Sequence, residues 1–236
     1  KPEVTVSAEK ENGQIQETVN LETVSQEERQ KLQEIDHIMG NMMSVLHDQN
    51  ATADALRKRF PSRNDLKLIH AIPFSSDRKY SGAVFEGRGT YLMGAAQFLF
   101  PEGNEELLEH CSSYAQEGYR ILVLAHSEQE TKGTERPTGL EPLGLFLITD
   151  VIREEAPDTL AFFDSQGVDL KVISGDDPVT VSAIAKKAGL KNANHYIDAT
   201  TIKTSEEMQR AVAECSVFGR VTAQQKKQMV QALQSQ

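Results

Sequence analysis

The chain has no tryptophan, only two cysteines, no long apolar run and no surplus of positive charge. Each absence excludes a class. Cys111 and Cys215 lie far apart, without CxxC spacing or a histidine cluster, which rules out a disulfide scaffold or a zinc module and reads as reduced thiols in a cytosolic setting. The six histidines stand singly, so no metal site is expected of them. No stretch approaches the roughly 18–20 apolar residues that a spanning helix needs, and no signal peptide is read at the N-terminus. A formal charge of −10 argues against nucleic acid or an anionic membrane surface as partner, since both select a basic face. Internal repeats and low-complexity tracts are also missing.

What is present is the balance of a globular protein, with 39% hydrophobic and 25% charged residues over 236 positions. That length accommodates one large or two modest domains. The chain opens on Lys1 without a methionine and stops at Gln236 within an amphipathic pattern, so an excised piece of a longer protein is expected.

The pattern divides near Asp150. Before it, Val4–Glu22 reads as a strand and a loop, and Ser25-Gln26-Glu27-Glu28 as a capping box. Leu32, Ile35, Met39, Met42 and Leu46 then recur at helical spacing, and Asn50 caps a second helix that Pro61 stops. From Leu66 the period becomes that of strands: Leu68–Phe74, Ser81–Phe85, Gly89–Met93, Arg120–Ala125 and Leu143–Thr149, with a helix over Glu105–Gln116. After Asp150, helices and short strands alternate. Helices over Pro157–Gln166 and Val179–Ala188, one capped by Ser205 and one capped by Thr222 are interleaved with strands at Leu170–Ile173, Tyr196-Ile197 and Val217-Phe218. Such alternation predicts a parallel sheet.

The most informative segment is Ile173-Ser174-Gly175-Asp176-Asp177-Pro178. An apolar strand ends on a hydroxyl, a glycine and two carboxylates where a helix opens, with Pro178 suited to the first helical position and Asp177 to the cap. Orphan N–H groups and the helix dipole make such a tip receptive to phosphate. A second strand, Val217-Phe218, leads through Gly219 and Arg220 to a helix with Lys226 in its first turn, where a cation opposes the dipole and therefore suggests a role.

These stretches, in this order, resemble the cytoplasmic part of a P-type cation-transporting ATPase. The resemblance covers nearly the whole chain and implies two α/β domains. Residues 1–149 correspond to a nucleotide-binding domain with an antiparallel sheet flanked by helices. Residues 150–236 correspond to part of a phosphorylation domain with a haloacid-dehalogenase-like, doubly wound parallel sheet. Phe74-Ser75-Ser76-Asp77-Arg78-Lys79 is similar to the family segment whose Phe stacks on adenine and whose Lys lies beside the nucleotide phosphates. Met93-Gly94-Ala95-Ala96-Gln97 stands where the family reads Lys-Gly-Ala-Pro-Glu, with Gly94 and Ala95 admitting a flat ligand and Met93 replacing a cation. Arg120 matches an arginine that reaches the phosphates, while Ala53 occupies the place of a carboxylate facing the adenine amino group.

In the second part, Asp150-Val151-Ile152-Arg153 resembles the hinge Asp-Pro-Pro-Arg without its prolines. Ser174-Gly175-Asp176 resembles Thr-Gly-Asp, whose hydroxyl binds the transferred phosphoryl group. Arg220 and Lys226 match the basic pair, with Lys226 neutralising an aspartyl phosphate. The resemblance implies ATP as ligand, Mg²⁺ in the intact enzyme, and membrane helices and an actuator domain as partners. It also implies a transported cation, with the wording leaning toward calcium, and a cytoplasmic location on an integral membrane protein. No Asp-Lys or Asp-Gly dipeptide occurs, so the family nucleophile and the magnesium-holding motif are not among these residues and the chain alone is expected to be inert. The strand bearing the nucleophile is expected to lie between those ending at Ser174 and preceding Lys226, leaving a gap or a disordered edge there and an exposed apolar strip that invites dimerisation. Two rivals are a soluble dehalogenase-like phosphohydrolase, with residues 1–149 as its cap, and a non-catalytic nucleotide-sensing module.

Overall fold

The computed structural model describes residues 3–8, 26–149 and 152–234. The loop expected before Glu22, the Ser25 cap and the hinge positions Asp150 and Val151 lie outside the described residues. The chain forms two compact units, one of residues 1–111 and 121–150, the other of residues 112–120 and 151–236.

The first unit is built on a six-stranded sheet in the order β1-β6-β5-β4-β3-β2. Its strands are β1 (Glu3–Ala8), β2 (Leu68–Ile72), β3 (Tyr80–Phe85), β4 (Gly89–Gly94), β5 (Arg120–Ser127) and β6 (Glu141–Thr149). β1 lies antiparallel to β6, and the β2–β3, β3–β4 and β4–β5 pairs are antiparallel as well. Two helices, α1 (Gln26–Val45) and α2 (Ala51–Arg59), supply the apolar layer against it. The period of four and three read in the sequence is the reason: Ile35, Ile38, Met39 and Met42 of α1 are buried, as is Leu46 just past its end. Each large side chain so buried contributes about 1.5–3 kcal/mol. They meet alternate residues of the strands, Ala83 and Phe85 on β3 and Tyr91 and Met93 on β4, as the period of two dictates. Phe60 and Phe146 join the same core with ring centroids 5.3 Å apart.

β2 stops at Ile72 rather than running to Phe74. Proline has no N–H for the ladder, so Pro73 ends the strand and Phe74 leaves the sheet. A one-turn helix, α3 (Ala96–Leu99), follows β4 directly and was not legible in the sequence. α4 (Glu105–Gln116) then leads to Gly118, whose φ of 92° closes it in the left-handed conformation expected of a helix-ending glycine.

The second unit alternates as predicted: α5 (Ala156–Ser165), β7 (Val172–Ile173), α6 (Pro178–Lys187), β8 (Tyr196–Asp198), α7 (Ser205–Glu214), β9 (Val217–Gly219) and α8 (Ala223–Gln234). Its parallel sheet has the order β7-β9-β8. Neighbouring residues of β9 serve opposite faces. Phe218 packs with Met208 and Val212 of α7 and Met229 of α8, whereas Val217 packs with Val181 and Ala185 of α6. Helices on both faces give the doubly wound arrangement.

The cap of α7 is Thr204, not Ser205, because Glu207 three residues on completes a reciprocal capping box with it. The α8 cap is as read, with Thr222 Oγ1 accepting from Gln225 N at 3.2 Å and Gln225 Oε1 accepting from Thr222 N at 3.1 Å. A larger correction concerns the sheet. β7 and β9 are hydrogen-bonded neighbours, with Val172 opposite Val217 and Ile173 opposite Phe218. A further strand cannot lie between them, so the expected gap is not there. The unpaired edge on this side, among the described residues, is the outer side of β7. Phe162 and Phe163 of α5 are exposed in the same unit.

Candidate functional site

The predicted residues fall into two groups, one in each unit. In the first, Phe74 follows the strand-ending proline and leaves 49% of its surface exposed, a flat apolar face open to a ring-shaped ligand. The loop that carries it turns back through a hydrogen bond from Lys79 N to Ser75 O of 2.7 Å. Lys79 itself has φ of 61°, a left-handed conformation that costs a non-glycine residue energy and directs the chain into β3.

Gly94 lies across from Tyr80 in the β3–β4 ladder. A Cβ there would come within 2.7 Å of the Lys79 carbonyl oxygen, so only glycine lets the loop close onto β4. Phe74, Lys79, Gly94 and the adjoining Ala95 are thereby drawn to one end of the sheet. Arg78 is held by its own loop, donating from Nη2 to Pro73 O at 2.8 Å, with its guanidinium carbon 5.8 Å from the Tyr80 ring centre. Its Nε is buried without a hydrogen-bond partner among the described residues.

Asn50 caps α2, its side chain accepting from Ala53 N at 2.9 Å, and the neighbouring Asp54 pairs with Arg57 at 3.2 Å. Met93 is 8% exposed and packed within the α1–α2 core. Alternation along β4 sends its side chain to that core, so the place where the family carries a cation is buried here.

The second group gathers at the carboxyl ends of β7, β8 and β9. Pro178 begins α6, and Asp177 Oδ1 caps it by accepting from Val179 N at 3.0 Å. Ser174 continues the β7 ladder through its N–H to Phe218 O at 2.9 Å, while its hydroxyl accepts from Asp176 N at 3.1 Å. Arg120 belongs to this unit and donates from Nη2 to Asp176 Oδ2 at 2.7 Å. The structure therefore joins Arg120 to the Ser174-Gly175-Asp176 turn. Arg220 donates from Nη2 to Asp177 Oδ2 and from Nη1 to Asp198 Oδ2, both at 2.7 Å.

Asp198 was not singled out in the sequence. Its only local signal is the Asp-Ala-Thr turn, where Oδ1 accepts from both the N–H and the hydroxyl of Thr200 at 2.9 and 2.7 Å. Burial pushes its carboxyl upward, but the Thr200 hydrogen bonds and the Arg220 charge outweigh burial and hold it below the ordinary carboxylate value. Both arginines at the strand tips are thus matched to carboxylates. Lys226, exposed in the first turn of α8, makes no ion pair among the described residues.

No group of three or more His, Cys, Asp or Glu suited to a metal ion occurs among the described residues. Asp176 and Asp177 are each paired with an arginine, which disfavours a second cation on the same oxygens. These residues, among those described, do not compose a magnesium site.

Residues 25–236 match the family described as haloacid dehalogenase-like hydrolase. The chain is 41% identical over 202 residues to the protein named "Probable cation-transporting ATPase exp7" of Streptococcus pneumoniae, a match covering 83% of this chain and 25% of the relative. It is 33% identical to the calcium-transporting ATPase CtpE of Mycolicibacterium smegmatis, covering 79% of this chain and 23% of the relative. A cation-transporting ATPase, pma1, of Synechocystis is 31% identical over 70% of this chain and 21% of its own length. The chain spans about a quarter of the length of these relatives. No helix among the described residues is long and apolar enough to cross a membrane.

Proposed function

The chain belongs to the haloacid dehalogenase-like hydrolases, with P-type cation-transporting ATPases as its relatives, and on that premise we propose that it is the ATP-binding and phosphoryl-handling part of such a transporter. In this reading residues 1–149 bind ATP and residues 150–236 form part of the domain that is phosphorylated. Phe74 stacks on the adenine, Lys79 offers charge beside the loop, and Gly94 and Ala95 let the backbone approach the ring. Ser174 and the Gly175–Asp176 turn receive the transferred phosphoryl group at the mouth of α6, and Lys226 neutralises it.

The single observation that carries the reading is the strand-tip arrangement. β7, which ends at the Ser174 hydroxyl, pairs directly in parallel with β9, and β9 leads into α8, whose first turn carries Lys226, a lysine without an ion pair among the described residues. A phosphate site at the carboxyl ends of central strands is the general rule for doubly wound sheets.

Covalent catalysis needs a nucleophile, and the family's Asp-Lys-Thr-Gly-Thr motif is not among these residues. We therefore assign the aspartyl phosphate, the Mg²⁺ ligands, the actuator domain and the membrane helices to the rest of a longer protein. The chain itself is then a cytoplasmic piece without ATPase activity. A calcium-transporting relative supports calcium or a related divalent cation as cargo. The test is magnesium-dependent ATP hydrolysis and acyl-phosphate formation by this chain before and after fusion to the upstream and downstream segments of its gene. Activity should require the fusion and vanish with Lys226→Ala; activity of the unfused chain that is lost with Lys226→Ala overturns the assignment.

A further inference from the structure

At the end of β9 the backbone makes a turn that has only one solution. A Cβ on Gly219 would lie 2.3 Å from Pro178 Cα, so β9 must end on glycine to pass the start of α6. The next residue, Arg220, takes φ of 52°, a left-handed conformation unusual for a residue other than glycine. It is held there from three sides. Its N–H donates to Asp176 O at 2.7 Å, and its guanidinium bridges Asp177 on the β7 side and Asp198 at the tip of β8.

Immediately after it, Val221 N donates to Ser174 O at 2.9 Å, and α8 begins two residues later. The first turn of α8 is tied to the same place. Gln225 Nε2 donates to Ala199 O at 2.6 Å, and Ala199 adjoins Asp198. Three strand tips and the mouth of α8 therefore converge on one guanidinium.

We infer that Asp198, with Asp177, is a positioning residue of the phosphoryl site: the two carboxylates clamp Arg220, and through the turn at residues 219–222 they fix Lys226 and Ser174 relative to each other. Arg220 serves as the clamp and not as a phosphate ligand, because both terminal nitrogens already donate to carboxylates in short, charge-assisted bonds. Asp198 is itself locked by two bonds from Thr200, so the clamp has a rigid far end. The inference rests on the reading that Ser174 and Lys226 meet a phosphoryl group. A misplacement of about 1 Å at such a pair is costly, which makes the clamp consequential.

The experiment is a titration of the whole chain with inorganic phosphate, followed at the Ser174 amide and the Lys226 ε-methylene by NMR. AMP-PNP shifts around Phe74 serve as an internal control. Asp198→Ala should weaken phosphate binding by on the order of tenfold. Asp198→Asn, which keeps an acceptor for Thr200 and Arg220, should restore most of it. Arg220→Lys, which cannot reach two carboxylates as a fork, should behave like Asp198→Ala while the Phe74 shifts stay as in the parent. Should Asp198→Ala not fold, Asp198→Asn and Arg220→Lys decide between them. Wild-type affinity in Arg220→Lys, or in a folded Asp198→Ala, overturns the clamp. Absence of any phosphate-induced shift at Ser174 and Lys226 in the parent chain overturns instead the reading on which the clamp rests, and the clamp with it.

Discussion

Arg120 donates to Asp176 at 2.7 Å, so the arginine that resemblance assigns to a nucleotide phosphate is held by a carboxylate of the Ser-Gly-Asp turn. Phosphate approaching Ser174 meets that carboxylate as a like charge. Asp176→Asn removes the repulsion and loosens the hold on Arg120, and should tighten inorganic phosphate binding severalfold at low salt, measured by 31P NMR. The gain should shrink as salt is raised, since both side chains are partly exposed. Weaker binding in Asp176→Asn would show that the carboxylate helps to hold the ligand.

Met93→Lys should destabilise the first unit by roughly 2–4 kcal/mol, because a charged group replaces an apolar one within the α1–α2 core. Urea unfolding followed by circular dichroism measures this. A neutral substitution would mean that the position opens to solvent.

Asp65 is held at about 2, below its ordinary 3.8, by hydrogen bonds from His37 and Asn41. A depressed carboxylate contributes stability that is complete above the unfolded value and disappears as pH falls through the folded one. The stability difference between the parent chain and Asp65→Asn should therefore be constant down to about pH 5 and shrink toward pH 2. Unfolding midpoints measured across that range check the sign; a difference that grows on acidification contradicts it.

Cys215 is pushed upward by burial, with Glu214 adding to the effect. It should alkylate slowly at pH 8, with a rate still rising above pH 9, in a mass-spectrometric time course. Rapid modification near neutrality would contradict this environment.

Much of this architecture was legible because local signals agreed with the global fold. The α1 stripe, the Asn50 and Asp177 caps, Pro178 at a helix start and the alternation after Asp150 each appear in the structure as read. Where reading failed, the deciding partner lay far along the chain or the local rule had a competitor. Pro73 outranked the apolar run that pointed to Phe74. The pairing of β7 with β9 depends on strand order, which a period cannot reveal. The face on which Met93 sits follows from strand register, fixed by pairing with β3 and β5. Asp198 gained its importance from Arg220, 22 positions away.

In the proposed reading the first unit binds the nucleotide at Phe74, Lys79, Gly94 and Ala95, and the second receives phosphate at Ser174 and Lys226. An AMP-PNP titration by 1H–15N correlation tests it most directly. Saturable shifts are predicted at Phe74, Lys79, Gly94 and Ala95, with loss of roughly 1–3 kcal/mol of binding in Phe74→Ala. Absence of shifts at millimolar AMP-PNP, or shifts clustered elsewhere and indifferent to Phe74→Ala, would contradict it.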